Sequence, residues 1–165
     1  MADAVAAPAP PPGVIARSAY QYGEAYASGE HKGFGEGLLQ ALDGRTESKW
    51  LCRIGAADAQ GRRAWVRIDP RPAARRIGRY ALTSANDIAD RDPVSWTLVG
   101  ISSSGAETTL DQRGNEHFPE RFQRREFVLP EPVSFPAYRL DIKDVIGGMQ
   151  IDLVQLAEIT LLPAP

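Results

Sequence analysis

The chain has 165 residues, with 43% hydrophobic and 24% charged side chains and a formal net charge of −2. That length and balance fit one globular domain with a real core. The charge argues against a general nucleic-acid binder, which is usually basic. No run of 18 apolar residues is present, so no helix-type membrane span is expected. Cys52 is the only cysteine, which excludes an intrachain disulfide and a cysteine-based zinc site.

Residues 1–13 are almost entirely Ala and Pro and read as a flexible or polyproline-like arm ahead of a domain over 14–162. They lack a basic region followed by a continuous apolar stretch, so they do not read as a signal peptide. The protein is then cytoplasmic if Met1 is the native start, and extracellular or periplasmic if an export signal has been removed. A first short strand is expected within 14–22. Residues 23–37 are rich in glycine, with Tyr26, His31, Lys32 and Phe34 interleaved, and read as a long exposed loop. The GFGEG run has neither the spacing nor the lysine of a phosphate-binding loop. A short helical turn over 37–42 leads into the turn signal Asp43-Gly44.

Further strands are expected at 50–54 and 65–69. In the second of these, Val66 and Ile68 share one face and Trp65 and Arg67 the other. Pro70 to Pro72 closes it, because proline cannot donate to a ladder. A strand follows at 77–84. Residues 84–93 then form a polar loop dense in Asn, Asp, Ser and Pro, which favour turns. The clearest strand is 94–102, with Val94, Trp96 and Leu98 in one parity. A hairpin turn at 103–106 leads to a return strand at 107–112 and a polar loop at 113–123. The next strand, 125–129, is closed by Pro130 and Pro132. Alternation resumes at 137–143, where Tyr138, Leu140 and Ile142 oppose Arg139, Asp141 and Lys143. A glycine-containing turn at 146–149 precedes the last strand region, 151–162. Short strands separated by turn residues predict an all-β, jelly-roll-like sandwich of about eight antiparallel strands.

Chemistry is sparse. His31 and His117 are the only histidines and have no adjacent nucleophile or acid framework, so no catalytic role is expected. Cys52 follows Trp50 and Leu51 and reads as a small buried hydrophobe. Trp50, Trp65 and Trp96 lie in strand-like runs and read as packing residues. The Arg91-Asp92 pair beside Pro93 has the pattern of a loop lock as well as that of a ligand contact.

Three blocks carry a family resemblance: ALDGRTESKW at 41–50, SANDIADRDPVSWTLVG at 84–100, and YRLDI at 138–142 followed by LVQLAEITLL at 153–162. In that order they resemble a discoidin-type domain, also called the coagulation factor type C or galactose-binding-like domain, in its bacterial form as carbohydrate-binding module family 32. The resemblance implies a non-catalytic carbohydrate-binding module that recognises glycans through loops at one end of the sandwich. The alternative is a protein–protein interaction module of a larger assembly on the same fold. Ligand-binding residues implied on those loops are His31, Asn86, Arg91, Asp92 and Met149. The resemblance also implies a calcium ion in the Asp43 turn, structural or otherwise. Its ligands would be Asp43, the carbonyls of Gln40, Arg45 and Ala157, the Ser48 hydroxyl and the Glu158 carboxylate. All-oxygen donors of that kind suit a hard cation.

Overall fold

The computed structural model describes residues 6–11, 16–20, 23–55, 62–71 and 76–165, with the side chains of 16–20 left aside. The predicted turn at 56–63 and the proline at position 72 lie largely or wholly outside these. Among the described residues, eleven strands run in chain order: β1 Ala16–Tyr20, β2 Gly23–Ala27, β3 Trp50–Arg53, β4 Ala64–Pro70, β5 Ile77–Thr83, β6 Pro93–Ile101, β7 Glu107–Arg113, β8 Arg124–Val133, β9 Ala137–Val145, β10 Leu153–Leu156 and β11 Glu158–Pro163. All pairings are antiparallel, in three groups ordered β1-β2-β4-β9-β6-β7, β10-β3 and β11-β5-β8. The expected all-β sandwich is the observed one. The count exceeds the expected total of about eight: to the nine runs marked in the sequence, 23–27 adds one strand, and 151–162 divides at Ala157 to give another.

The period-two runs build the core. Val66 and Ile68 of β4, Trp96 and Leu98 of β6, and Tyr138, Leu140 and Ile142 of β9 point inward from the six-stranded sheet. They meet Tyr80 and Leu82 of β5, Phe127 and Leu129 of β8, Ile159 of β11, and Trp50, Cys52, Val154 and Leu156 of the β3–β10 pair. Phe127 stacks on Tyr80 with ring centroids 5.1 Å apart and meets the edge of Trp96 at 5.2 Å. Burial pushes the Cys52 thiol up to about 11, which keeps it protonated and unreactive at neutral pH.

Two expectations are corrected. Gly23 to Ala27 is a buried strand and not part of an exposed loop: Ala25, Tyr26 and Ala27 are all buried between β1 and β4. The second correction concerns Pro130 and Pro132, which do not end their strand. β8 continues to Val133 because it lies at a sheet edge, paired only with β5, and its register shifts between Ile77 and Arg79. A proline at an edge or bulge removes no ladder bond that a central strand would need.

The register orients the sandwich. At one end lie the β5–β6 loop (84–92), the β7–β8 loop (114–123), the β9–β10 loop (146–152) and the connection from β2 to β3 (28–49). The turns at 102–106 and 134–136 lie at the other. Inside, Trp96 Nε1 donates to Tyr80 Oη at 2.8 Å and Tyr80 Oη donates to Asp111 Oδ2 at 2.7 Å. Tyr80→Phe strips a fully buried indole N–H of its acceptor. Thermal unfolding of that variant should show a loss of about 1–3 kcal/mol; an unchanged melting temperature would mean that the indole finds another partner.

Candidate functional site

Lys49 organises the loop-bearing end. It is only 5% exposed, and its Nζ donates to Asp87 Oδ1 at 2.6 Å and Gln155 Oε1 at 3.0 Å, with Glu36 Oε1 at 3.7 Å. Gln155, also buried, donates through Nε2 to the carbonyls of Asp87 (2.8 Å) and Ile88 (3.1 Å). The Lys49 ammonium holds the Asp87 carboxylate below its ordinary pKa against the opposing effect of desolvation. One buried cation therefore ties the 84–92 loop to the β3–β10 pair and to the 31–36 segment.

A second clamp comes from the β7–β8 loop. Asp92 is 1% exposed and is gripped by the guanidinium of Arg121, with Nη1 at 2.9 Å from Oδ1 and Nη2 bonded to Oδ2. The same guanidinium donates to the Asp87 carbonyl at 3.0 Å and the Phe118 carbonyl at 3.3 Å. The lock that the Arg91-Asp92 dipeptide suggested thus exists, but its arginine is Arg121.

The third contact joins 84–92 to 146–150. Gly147 N–H donates to the Asp90 carbonyl at 2.8 Å, and Ile146 N–H to the Asp92 carbonyl at 3.0 Å. The approach is so close that a Cβ on Gly147 would lie 2.1 Å from Ile151 Cγ1 and 2.9 Å from Asp90 Cβ. Only glycine fits there.

The structure accordingly places the loops carrying His31, Asn86, Arg91 and Met149 around one end. Asn86 is exposed, His31 and Arg91 are half-buried, and Asp92 is buried. His31 is bridged to Glu36 across the tight turn Lys32–Phe34. Met149 is 79% exposed, with Arg62 Nη1 3.2 Å from its sulfur. Phe34 (83% exposed) and Ile88 (48%) sit on the same loops. Three apolar side chains are thus exposed on loops that also carry amide, guanidinium and carboxylate groups. Tyr26, by contrast, is inside a strand, and Trp50 and Trp96 are fully buried. Sequence alone does not single out Lys49, Arg121 and Gln155, because nothing local marks a residue whose side-chain partners lie 13 to 106 positions away.

Beside this surface lies the Asp43 turn. Ser48 Oγ donates to Asp43 Oδ2 at 2.6 Å and lies 3.4 Å from the Gln40 carbonyl oxygen. Arg45 N–H donates to Asp43 Oδ1 (2.9 Å) and Glu158 Oε1 (3.2 Å), and Gly44 N–H to Glu158 Oε1 (3.0 Å). Ala157 stands at the break between β10 and β11, its N–H donating to the Thr83 carbonyl. The chain thus gathers Gln40, Asp43, Arg45, Ser48, Ala157 and Glu158 in one place. Among the described residues no three His, Cys, Asp or Glu side chains cluster, so any cation here would lean on two carboxylates, a hydroxyl and backbone carbonyls. Those are hard oxygen donors of the calcium type.

Burial and the adjacent Asp43 carboxylate push the Glu158 carboxyl up to about 8, outweighing the two backbone N–H donors. A pKa raised on folding means that the native state holds a proton the unfolded chain releases. The associated stability is complete below the ordinary glutamate range near 4.5 and is lost as pH rises through about 8. In chelator, the wild-type melting temperature should therefore fall between pH 5 and 8 relative to Glu158→Gln, measured by differential scanning calorimetry. Parallel curves for the two proteins would show that Glu158 does not titrate in this window.

No family model matches the sequence. The chain is 34% identical over 138 residues to peptide-N(4)-(N-acetyl-β-glucosaminyl)asparagine amidase of Arabidopsis thaliana, an alignment covering 79% of this chain and 18% of that enzyme. Several solved structures superpose over most of the chain. One is the CBM32-5 module of Clostridium perfringens GH89 in complex with GalNAc-β-1,3-galactose (TM-score 0.66, 13% identity, 84% of this chain and 93% of that one). Another is the family 32 module of C. perfringens NanJ in complex with galactose (TM-score 0.64, 17% identity, 83% and 90%). A third is an F5/8 type C domain from Bacteroides fragilis (TM-score 0.68, 14% identity, 91% and 97%). The resemblance drawn from the three sequence blocks is thereby matched in three dimensions: the chain has the discoidin-type, or F5/8 type C, β-sandwich fold that the family 32 carbohydrate-binding modules share.

Proposed function

We propose that this chain is a non-catalytic carbohydrate-binding module that takes a glycan on the loop end organised by Lys49. The observation that carries the reading is the clamping of 31–36, 84–92 and 146–150 together, with Phe34, Ile88 and Met149 exposed beside Asn86, Arg91 and His31. Sugar rings present an apolar face bordered by hydroxyls, and rigid loops bearing both kinds of group recognise them at low ordering cost. Asn86 supplies an amide donor and acceptor, Arg91 a fork of donors, and His31 an imidazole. Asp92 acts as the anchor for Arg121 that keeps the loop in shape. N-acetylhexosamine-containing glycans are the class favoured, since the amidase name and one neighbour's ligand both include such a sugar.

The Asp43–Glu158 turn is read as a calcium site that braces the same end. A cation between the two carboxylates would offset their mutual repulsion and replace the proton on Glu158. Asp43, Glu158, Ser48 and the Gln40 carbonyl would hold the ion; the Arg45 and Ala157 carbonyls would complete the set.

A glycan array spanning N-acetylglucosamine-, N-acetylgalactosamine- and galactose-terminated structures tests the reading. Saturable binding is expected, weakened by about tenfold or more in Asn86→Ala and Arg91→Ala, as loss of a charge-assisted or amide hydrogen bond implies. The same variants should melt as the wild type does. Chelator should lower the melting temperature of the wild type and leave Asp43→Ala unaffected. Absence of binding across the array would remove the glycan reading, and a chelator-insensitive wild type would remove the ion.

A further inference from the structure

The outer face of the six-stranded sheet holds a set of side chains that the loop site does not use. Val66 and Ile68 of β4 point into the core, so Trp65, Arg67 and Asp69 point outward. An outward face should be wet, yet Arg67 is 3% exposed and Asp69 5%. Residues 6–11 provide cover over Arg67. Arg67 Nη2 donates to the Pro8 carbonyl at 2.7 Å and Nη1 to the Ala9 carbonyl at 2.8 Å, and Pro8 itself is buried. The other edge of the guanidinium is held by Asp69, with Nε 2.8 Å from Oδ1 and Nη2 2.9 Å from Oδ2. Tyr26, register partner of Arg67 on β2, lies under the cation with its ring centroid 5.1 Å from Cζ.

We propose that this face is a docking site for an extended, proline-rich polypeptide segment, filled in cis by residues 6–11. The chemistry fits that occupant in three ways. Asp69 neutralises and orients Arg67, leaving donors of a planar fork aimed at successive main-chain carbonyls. Proline-rich chains offer carbonyls with few competing N–H groups. In AAPAPP, Ala7 and Ala9 each precede a proline, which biases them to extended backbone before docking, so little entropy is lost on binding. An aromatic ring beside the carbonyl reader is a recurrent feature of polyproline recognition. The site reads backbone, so a proline-rich segment of another protein would enter by displacing the arm, against the high local concentration of a tethered competitor. This surface is separate from the glycan-binding loops and does not depend on them.

The test uses the full chain in solution. Amides of Ala7 and Ala9 should show backbone 15N heteronuclear NOE values like those of β4. In Arg67→Met they should fall to those of a flexible chain, while the Trp50 and Trp96 indole signals stay dispersed and report an intact core. A second variant, Pro8→Gly with Pro10→Gly, loosens the arm without touching the domain. Acetylated, amidated AAPAPP peptide titrated into it should shift the Tyr26 and Arg67 amides saturably. A glycine-serine peptide of equal length should not, and adding Arg67→Met should abolish the shifts. Flexible arm amides in the wild type, a rigid arm in Arg67→Met, no response to the proline peptide, or an equal response to the glycine-serine peptide would each overturn the proposal.

Discussion

The loop end of this sandwich depends on one buried ammonium. Taking a lysine out of water is costly unless its charge is met by partners in good geometry. Lys49 has Asp87 at 2.6 Å, the Gln155 amide oxygen at 3.0 Å and Glu36 at 3.7 Å. Those partners come from three separate stretches of chain, so satisfying one cation draws the 31–36 segment, the 84–92 loop and strand β10 to a single point. Gln155 then spends its amide hydrogens on the Asp87 and Ile88 carbonyls, fixing the backbone of the very loop whose side chain Lys49 holds. Arg121 grips the loop through Asp92, and the Gly147 approach closes it against 146–150.

From that clamp the remaining features follow. Because polar anchors underneath satisfy the loop backbones, the side chains above are free to face solvent, and these include Phe34, Ile88 and Met149. These three are the apolar part of the ligand surface proposed for this end. The Asp43 turn at the same end places two carboxylates against each other, a local frustration that a proton or a hard cation would relieve. The opposite character prevails at Arg67. There the buried cation has a carboxylate and two carbonyls already arranged around it, and the cover over it is the chain's own Ala/Pro segment.

Much of the fold could be read from period-two alternation. The runs at 77–84, 94–102 and 137–143 became β5, β6 and β9 with boundaries shifted by one or two residues, because their inward residues are large and their outward ones polar. The Gly23–Ala27 strand was hidden by its composition: its inward residues Ala25 and Ala27 are small, it runs directly into the glycine-rich 28–37, and burial there comes from close packing between β1 and β4. The prolines of β8 misled for a physical reason, since their effect depends on edge position, which local pattern does not encode. At the site, the order of the three blocks sufficed to collect Asp43, Ser48 and Glu158, 115 positions apart at the extremes (158 − 43). Lys49, Gln155 and Arg121 were illegible because each looks locally like an ordinary polar residue of a strand or loop, and only the tertiary arrangement reveals what it holds.

The glycan-binding surface proposed for this end stands on the Lys49 clamp. The most direct measurement is a 1H–15N titration of the wild type and of Lys49→Met with an N-acetylhexosamine-bearing oligosaccharide. Saturable shifts confined to residues 31–36, 84–92 and 146–150 are expected in the wild type, and greatly weakened shifts in a Lys49→Met protein whose core signals remain dispersed. Shifts centred on the turns at 102–106 and 134–136, no shifts at all, or wild-type affinity in a folded Lys49→Met protein would contradict that proposal.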